Sequence, residues 1–248
     1  MPRFFVPDGQ IADGSISIVG DDAWHIARSL RMAVGDALTV CAFCGDEYAC
    51  KLEKITDGEV IARILSKSAS GSESPVGIVL YQAFPKGDKM DSIVQKAVEC
   101  GVRSVVPFLS SRCIARPEGQ ALARKGARWQ RIADEAAKQC GRGFLPQVSP
   151  SLSFDGMLDA AADADLSLFC YEGDGTVSLR RVLSAVRGQK PERISLVIGS
   201  EGGFSVAEAQ AAAARGFSMC SLGPRILRCE SAPAFALACI AYEFELTE

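Results

Sequence analysis

The chain has 248 residues, of which 48% are hydrophobic and 23% are charged, and its formal net charge is −3. This length allows one large domain or two smaller ones, and the composition excludes fibrous and disordered proteins. No apolar run reaches the roughly 18 residues that a membrane span needs. Because residues 1–6 are followed at once by Pro7-Asp8-Gly9, we expect no signal peptide. The sequence therefore predicts a soluble, cytoplasmic protein without a membrane partner.

Charge is distributed unevenly along the chain. Residues 1–72 hold 7 Lys and Arg against 10 Asp and Glu, residues 73–150 hold 12 against 7, and residues 151–248 hold 8 against 13. The middle third is therefore a basic island between two acidic flanks. Such asymmetry is typical of a nucleic-acid-binding surface, although a solvated helix face produces it as well.

The ten cysteines of the chain favour no metal or redox site. In a chain without an export signal, scattered cysteines are usually small buried hydrophobic residues. One CxxC occurs at Cys41 and Cys44, but a structural zinc site needs a second pair at matching spacing, and only Cys50 lies nearby. A redox CxxC would begin a helix, whereas this one follows a strand-like segment. We therefore expect no bound metal.

The first seventy residues predict a small β-barrel. Turn residues such as Gly35-Asp36 and Gly45-Asp46 separate short apolar runs. Strands are expected at 15–19, 37–42, 47–55 and 59–65, with one helical segment between Gly20 and Met32. The Ser-rich stretch 66–75 is typical of a linker. The first domain is therefore predicted over residues 1–72.

After this stretch, strands alternate with helices. Strands are expected at 76–84, 104–109, 166–171, 194–198 and 219–222, and helices at 89–100, 124–140, 179–186, 205–215 and 232–244. Apolar strands such as Ile-Ser-Leu-Val-Ile are typical of a parallel sheet with both faces covered. The sequence thus predicts an α/β domain over residues 73–248.

Three expected strand ends carry loops that suit a binding site, since ligands of open α/β sheets bind at the carboxyl ends of strands. The loops cover residues 170–173, 198–204 and 222–230. Three glycines in the second loop allow close approach of a ligand, and Ser205 with Glu208 predicts a capping box for the next helix. A capped turn without any ligand fits this pattern equally well. The GxGxxG and GxxxxGK[ST] spacings are absent from the sequence, which disfavours dinucleotide and ATP chemistry.

The third loop favours a functional segment over a solvated turn. Between the expected strand 219–222 and the expected Ala-rich helix 232–244, the chain has Pro224 and the two arginines of Arg225-Ile-Leu-Arg228. These residues do not favour the start of a helix. The adjacent pair Ile226-Leu227 argues against full exposure. We therefore expect a partly buried loop shaped for a ligand.

The second and third loops, 198–204 and 222–230, resemble the signature of one family, the ribosomal RNA small subunit methyltransferase E family of the SPOUT superfamily. The matching segments are Ile198-Gly-Ser-Glu-Gly-Gly-Phe-Ser and Leu222-Gly-Pro-Arg-Ile-Leu-Arg-Cys-Glu-Ser-Ala. The resemblance extends to Arg3-Phe4-Phe5 and to residues 25–31, 86–102 and 128–142, and so spans nearly the whole chain. Ser200 stands where the family usually has Pro, and Ser231 where it has Thr.

The resemblance implies an α/β fold with a small N-terminal β-barrel domain of the PUA type, which binds RNA, and a SPOUT domain with a C-terminal trefoil knot. It also implies a homodimer, S-adenosyl-L-methionine as the cofactor, and methylation of N3 of a uridine in 16S rRNA of the small ribosomal subunit. The residues expected to bind the cofactor are Tyr171, Glu172, Ile198, Gly199, Ser200, Glu201, Gly202, Leu222, Gly223, Arg225, Ile226 and Leu227.

Uridine N3 carries a proton, so its methylation needs a proton acceptor or a cation that stabilises the resulting anion. We hypothesise that Arg228 stabilises charge on the uracil oxygens and that Glu230 or a nearby water accepts the proton. Glu230 could equally be a carboxylate that interacts favourably with the dipole of the last helix. The only histidine, His25, is expected to be structural or to face RNA.

Six basic residues are expected to contact RNA phosphates, although a solvated surface charge is an equal alternative for each of them. They are Arg3, Arg28, Arg31, Lys86, Arg112 and Arg142. Two rival functions stay open at this point. One is a ribosome-assembly factor that has lost cofactor binding, with Ser200 as its support, and the other is an unrelated α/β enzyme with a nucleotide cofactor. Affinity for S-adenosylmethionine would separate both from a methyltransferase.

Overall fold

The computed structural model describes residues 1–43, 45–56 and 58–246. Within this part, the chain divides into two compact units. Unit 1 comprises Met1–Glu73 with Ala137–Leu145, and unit 2 comprises Ser74–Ala136 with Pro146–Glu248. The sequence pattern assigned residues 137–145 to the second domain, but their contacts place them in unit 1. Cys44, the second cysteine of the CxxC, lies outside the described residues.

In the described residues of unit 1, one sheet contains the strands β1 (Arg3–Val6), β2 (Ile11–Ala12), β3 (Ser15–Val19), β4 (Ala37–Ala42), β5 (Asp46–Ile55) and β6 (Glu59–Ala69). These strands lie side by side in the order β1-β4-β5-β6-β3-β2. Neighbouring strands pair antiparallel except β1 and β4, which are parallel. Alternate residues such as Ile16, Ile18, Leu38 and Val40 point into a hydrophobic core. The four predicted strands are confirmed.

The predicted linker over 66–75 is wrong in its first half. Residues 66–69 continue β6 and pair with residues 46–49 of β5. Main-chain pairing requires no apolar side chains on an exposed strand, so a Ser-rich segment can extend a sheet. The predicted helical segment begins as α1 (Asp21–Trp24) and continues as a π-helical turn over His25–Ser29. It ends at Ser29, and Arg31, two residues further on, has a left-handed φ of 51°.

Unit 2 is an α/β layer structure with eight described strands. The strands are β7 (Gly77–Ala83), β8 (Ser104–Leu109), β9 (Gln147–Val148), β10 (Leu152–Ser153), β11 (Leu166–Cys170), β12 (Val177–Ser178), β13 (Arg193–Ile198) and β14 (Ser218–Ser221). The helices are α2 (Lys89–Glu99), α3 (Gly119–Cys140), α4 (Phe154–Ala162), α5 (Leu179–Val186), α6 (Val206–Ala214) and α7 (Ala232–Phe244). The last four residues of α3 belong to unit 1.

The sheet of unit 2 is parallel throughout, in the order β10-β8-β7-β13-β11-β14-β12, with β9 beside β8. Its central strand β13 is buried from Ile194 to Ile198, as expected for a strand covered on both faces. The predicted parallel α/β domain is therefore confirmed. No helix in the described ranges combines the length and the apolar character that crossing a bilayer would require.

Helix α4 was not predicted from the sequence, although local signals for it exist. Ser153 caps its first turn by accepting a hydrogen bond from the main-chain N–H of Gly156. Met157, Leu158 and Ala161 are fully buried at helical spacing. Helix α3 also begins at Gly119, five residues before its expected start at 124.

Candidate cofactor cleft

Three loops meet at one edge of the parallel sheet in unit 2. Strand β11 pairs with β13 on one side and with β14 on the other. Since parallel strands all end at the same edge, the loops that follow these three strands are brought together. They enclose a cleft of about 720 Å³, within the roughly 300–1,000 Å³ typical of small-molecule sites.

All twelve residues expected to bind the cofactor line this cleft. Arg228, expected to be catalytic, and Arg112, expected to contact RNA, line it too. Sequence reasoning did not select several others, which lie between or beside the predicted positions: Lys89, Cys170, Gly173, Gly203, Phe204, Ser221, Pro224, Cys229 and Ala232. Most of these residues lie in or next to the three loops, so their position in the sequence could have indicated them. Lys89 lies at the start of α2, far from the loops in sequence, and no such signal exists for it.

The loop after β13 is a tight turn that depends on glycine at two positions. A Cβ on Gly199 would lie 3.1 Å from the Cα of Gly203 and 3.2 Å from the Phe204 ring. Gly203 has a φ of 60°, and its N–H donates to the carbonyl of Ser200 at 2.9 Å. The Gln82 side-chain amide donates to the carbonyl of Gly199 at 3.1 Å. The main chain is therefore folded closely on itself at the floor of the cleft.

The predicted capping box of α6 is confirmed. Ser205 Oγ accepts from the N–H of Glu208, and the Glu208 carboxylate accepts from the N–H of Ser205 at 2.8 Å. The same carboxylate accepts from the N–H and hydroxyl of Ser111 at 2.7 and 2.9 Å. Burial raises the pKa of Glu208, but these donors more than offset it and leave the pKa lowered. Glu208 thus joins the loop after β8 to the start of α6.

The loop after β14 differs from expectation in one respect. Leu227 is half-buried, but Ile226 is 81% exposed, so the expectation of burial is wrong for Ile226. Two successive side chains of an irregular loop generally point to different sides, and here only one of them faces protein. The carbonyl of Arg228 accepts from the N–H groups of Ser231 and Ala232 at 2.8 and 2.9 Å, which turns the loop into α7.

An ionic cluster joins two of the loops. Lys89 Nζ lies 2.9 Å from Glu201 Oε1 and 3.4 Å from Glu230 Oε2. The N–H of Lys86 also donates to Glu201 Oε1 at 3.1 Å. Hydrogen bonding to Glu201 raises the pKa of Lys89. The thiol of Cys229 lies 3.3 Å from Glu230, and burial raises its pKa to about 12.

Both carboxylates of this cluster favour the ionised form. Hydrogen bonding to its own main chain is the largest cause of the lowered pKa of Glu230; burial opposes it by raising the pKa, and hydrogen bonds to Cys229 and Lys89 lower the pKa further. For Glu201, burial raises the pKa, but donors from Lys89 and from the main chain outweigh it and lower the pKa overall. The cluster therefore carries two negative charges and one positive charge.

Four of the six expected RNA contacts are exposed, two in each unit. Lys86 and Arg112 are exposed in unit 2, and Arg112 donates to the Gly202 carbonyl at 3.0 Å. Arg28 and Arg31 are exposed on unit 1. His25 is also exposed there, with its ring 6.4 Å from that of Phe4.

The prediction that Arg142 contacts RNA is contradicted by its burial, because the residue is only 3% exposed and cannot present its guanidinium to a phosphate. Its Nη2 lies 2.7 Å from Glu73 Oε2, its Nε bonds the same carboxylate, and its guanidinium stacks 4.8 Å from the Phe144 ring centre. The side chain of Arg3 is also hydrogen-bonded within unit 1, where it donates to the Glu47 carboxylate at 2.7 Å and to the Arg142 carbonyl at 3.3 Å. Both arginines therefore stabilise unit 1.

No cluster of three or more metal-ligating side chains (His, Cys, Asp or Glu) occurs within residues 1–43, 45–56 and 58–246. The cysteines of these ranges are free thiols. The sulfur atoms of Cys170 and Cys220, on neighbouring strands, lie 3.6 Å apart.

Comparison with known proteins identifies the family. An RNA methyltransferase domain matches residues 72–241, and an RNA methyltransferase PUA domain matches residues 18–65. The ribosomal RNA small subunit methyltransferase E of Bacillus subtilis is 33% identical over 251 residues, covering 99% of this chain and 98% of that protein. The chain belongs to the ribosomal RNA small subunit methyltransferase E family. It is therefore an S-adenosylmethionine-dependent RNA methyltransferase, with a PUA-type domain before the catalytic domain.

Other members of the family agree over nearly all of this chain. The Synechocystis methyltransferase E is 32% identical, covering 95% of this chain and 76% of that protein. The crystal structure of the Neisseria gonorrhoeae methyltransferase E bound to S-adenosyl methionine superposes with a TM-score of 0.85 at 29% identity, and each chain is covered completely. Family membership sets aside the alternative of an unrelated nucleotide-dependent enzyme.

The residues of the cleft fit S-adenosylmethionine. Glycine-built turns leave main-chain groups accessible, while Ile198 and Leu222 provide apolar surface. The carboxylate of Glu172 lines the same cleft and provides a negative charge that suits a sulfonium cation, whereas the charge of Glu201 is paired with Lys89. A ligand of this kind needs no phosphate-binding loop, which agrees with the missing nucleotide motifs.

Proposed function

We propose that this enzyme methylates N3 of a specific uridine in 16S rRNA, acting on the small ribosomal subunit. The observation that carries the proposal is the cleft at the carboxyl edge of the sheet, where the family's two signature loops and Arg228 meet. The relatives' names support a small-subunit rRNA substrate. The choice of the uridine N3 atom follows from the family resemblance of the sequence.

Arg228 and Glu230 are proposed to carry the chemistry on the uracil. Bound S-adenosylmethionine supplies an electrophilic methyl group. The exposed guanidinium of Arg228 lines the cleft, where it can stabilise the negative charge that develops on the uracil oxygens as N3 loses its proton. Glu230, which is ionised at neutral pH and lies just outside the residues that line the cleft, or a nearby water accepts that proton. Its position at the start of α7 also places its charge favourably for the helix dipole.

The test is transfer of labelled methyl from S-adenosylmethionine to small subunits that lack the modification, followed by mass spectrometry of the modified nucleoside. Replacing Arg228 by Ala is expected to lower kcat about 10²–10³-fold, as for loss of one oxyanion-stabilising donor. Arg181→Ala, at an exposed position of α5, is the matched control and should retain activity. Wild-type turnover by Arg228→Ala at saturating substrate would refute the role of Arg228. A methyl group on another atom or base would refute the specificity.

RNA binding is proposed to use exposed basic residues of both units. Lys86 and Arg112 lie beside the cleft in unit 2, and Arg28 and Arg31 lie on unit 1. Reversing these four charges together is expected to weaken RNA binding and to flatten its dependence on salt, since fewer counterions are released from the RNA. An unchanged salt slope would contradict this assignment.

A homodimer is proposed on the exposed face of α7. Phe235 and Tyr242 on this helix are 41% and 68% exposed, and Leu246 just beyond it is 71% exposed. Large apolar side chains exposed in one region are typical of a protein–protein interface. Analytical ultracentrifugation should give a dimer for the wild type and a monomer for the double variant Phe235→Asp/Tyr242→Asp. A monomeric wild type would contradict the interface.

The finer architecture expected from the family belongs to the same proposal: a closed barrel in unit 1, a trefoil knot around residues 198–230, and a cytoplasmic location. The order of elements in unit 2 supports the knot. After β14, the chain passes the cleft and continues into α7, which contacts α2 and α5. The segment after β14 thus runs from a strand near one edge of the sheet toward α2, the helix that follows the more central strand β7.

A further inference from the structure

Lys89 is the one basic side chain of the described cleft lining that contacts two separate loops. It is the first residue of α2 and approaches Glu201, in the loop after β13, and Glu230, at the end of the loop after β14. The side chains of all three residues are partly sheltered from solvent, with exposed fractions of 34% for Lys89, 29% for Glu201 and 22% for Glu230. Neither the sequence pattern nor the family resemblance singled out this lysine.

The contacts have a direct electrostatic consequence for the two loops. Glu201 and Glu230 are both negative, so they repel each other unless a cation lies between them. Lys89 is the residue that contacts both carboxylates. The neighbouring Cys229 thiol, with its raised pKa of about 12, stays neutral and adds no charge. The N–H of Lys86 anchors Glu201 to the same segment that carries Lys89.

The loops joined in this way are the two that form the cleft. Residues 198–204 form one part of the cleft lining, residues 221–229 form another, and Lys89 itself lies between them as a lining residue. Neither loop contains regular secondary structure over most of its length. An ionic link from α2 to both loops therefore limits how far they can separate.

We propose that Lys89 is a positioning residue, which clamps the loops 198–204 and 222–230 together in the arrangement that binds S-adenosylmethionine and orients Glu230. This inference rests on the proposed function for its effect on the cofactor. The clamp itself is a property of the protein without any ligand. The two parts can therefore be tested separately.

The first test is a mutant cycle of S-adenosylmethionine binding by calorimetry. Lys89→Met is expected to raise Kd about three- to tenfold, the combined effect of two partly exposed ion pairs. Lys89→Arg should restore most of the affinity. The control is Lys190→Met, at an exposed position before the amino end of β13, which should bind as the wild type does.

The cycle distinguishes a clamp from a general effect on α2. In a background of Glu201→Gln/Glu230→Gln, the carboxylates are neutral and Lys89→Met should add less than a twofold change. An equal loss in both backgrounds, or wild-type affinity of Lys89→Met, would overturn the proposal.

The second test reads the clamp without cofactor, by amide hydrogen exchange and mass spectrometry. Lys89→Met should increase exchange in both loops, 198–204 and 222–230, and leave β7 and β8 protected as in the wild type. Unchanged exchange in either loop would overturn the clamp. If the wild type does not bind S-adenosylmethionine but the loops respond as expected, the proposed function fails while the clamp stands.

Discussion

The pair Arg142–Glu73 gives the sharpest prediction about stability. The side chain of Arg142 is 4% exposed and that of Glu73 is 21% exposed. The Glu73 carboxylate accepts from Nε and Nη2 of Arg142 and from the N–H of Gly143 at 2.5 Å. Glu73→Gln would remove the carboxylate charge that faces the buried guanidinium. Removing one partner of a buried pair costs about 3–5 kcal/mol, and the partial exposure of Glu73 places the expected loss near 3 kcal/mol.

The assay is denaturant-dependent hydrogen exchange of β4 and β5, which reports the unfolding free energy of unit 1 separately from unit 2. Arg142→Met should destabilise unit 1 to a similar extent, and Glu73→Gln/Arg142→Met should recover most of the loss because no unpaired charge remains. Lys67→Met is the control: it breaks an ion pair of the same length, 2.7 Å, at 56% exposure of the lysine side chain. It should cost no more than about 1 kcal/mol.

The contrary result is equally clear. If Arg142→Met and Lys67→Met had the same small effect on unit 1 while Arg142→Met lowered the affinity for rRNA, Arg142 would be an RNA contact. The sequence-based expectation would then be right and the structural role wrong.

Two further predictions concern unit 2. Gly199→Ala places a methyl group 3.1 Å from Gly203 Cα. It should destabilise unit 2 by about 1–3 kcal/mol in thermal unfolding and abolish cofactor binding in calorimetry. Gly188→Ala is the control, since its Cβ would lie in open space, and it should change neither quantity. The lowered pKa of Glu208 stabilises the fold above the usual value of 4.5, and this contribution is lost as the pH falls through the lowered value. The Tm of Glu208→Gln should therefore be lower than that of the wild type at neutral pH and depend less on pH below 4.5; parallel Tm curves would contradict this.

The sequence predicted most of unit 2 because its signals are local. The apolar run Ile194–Ile198, the capping box at Ser205, and the glycines of the following loop each indicate a structure within a few residues. The strands end at one edge by the geometry of a parallel sheet, so the predicted loops meet in one cleft. Helix α4 and the short strands were missed because their apolar patterns are brief and interrupted.

Pairs that are distant along the chain could not be predicted in this way. Lys89 and Glu201 are 112 residues apart, and Arg142 and Glu73 are 69 apart. A charged residue at the start of a helix looks the same in sequence whether it faces solvent or two carboxylates. Arginine is rarely buried unless it is paired, and the partner of Arg142 lies in a segment whose composition is typical of a linker, so the sequence gives no sign of the pair.

Binding of S-adenosylmethionine in the cleft of unit 2 is best measured by calorimetric titration of the intact protein and of the variant Gly202→Val. A Cβ on Gly202 would lie 3.0 Å from Arg112 Cβ and 3.3 Å from the Arg112 carbonyl oxygen, so valine must distort the loop. Saturable binding with a Kd of about 1–100 μM in the wild type, lost in a folded Gly202→Val variant, is the predicted result. A folded wild-type protein that binds no S-adenosylmethionine would contradict the enzyme and favour an assembly factor that retains only RNA binding.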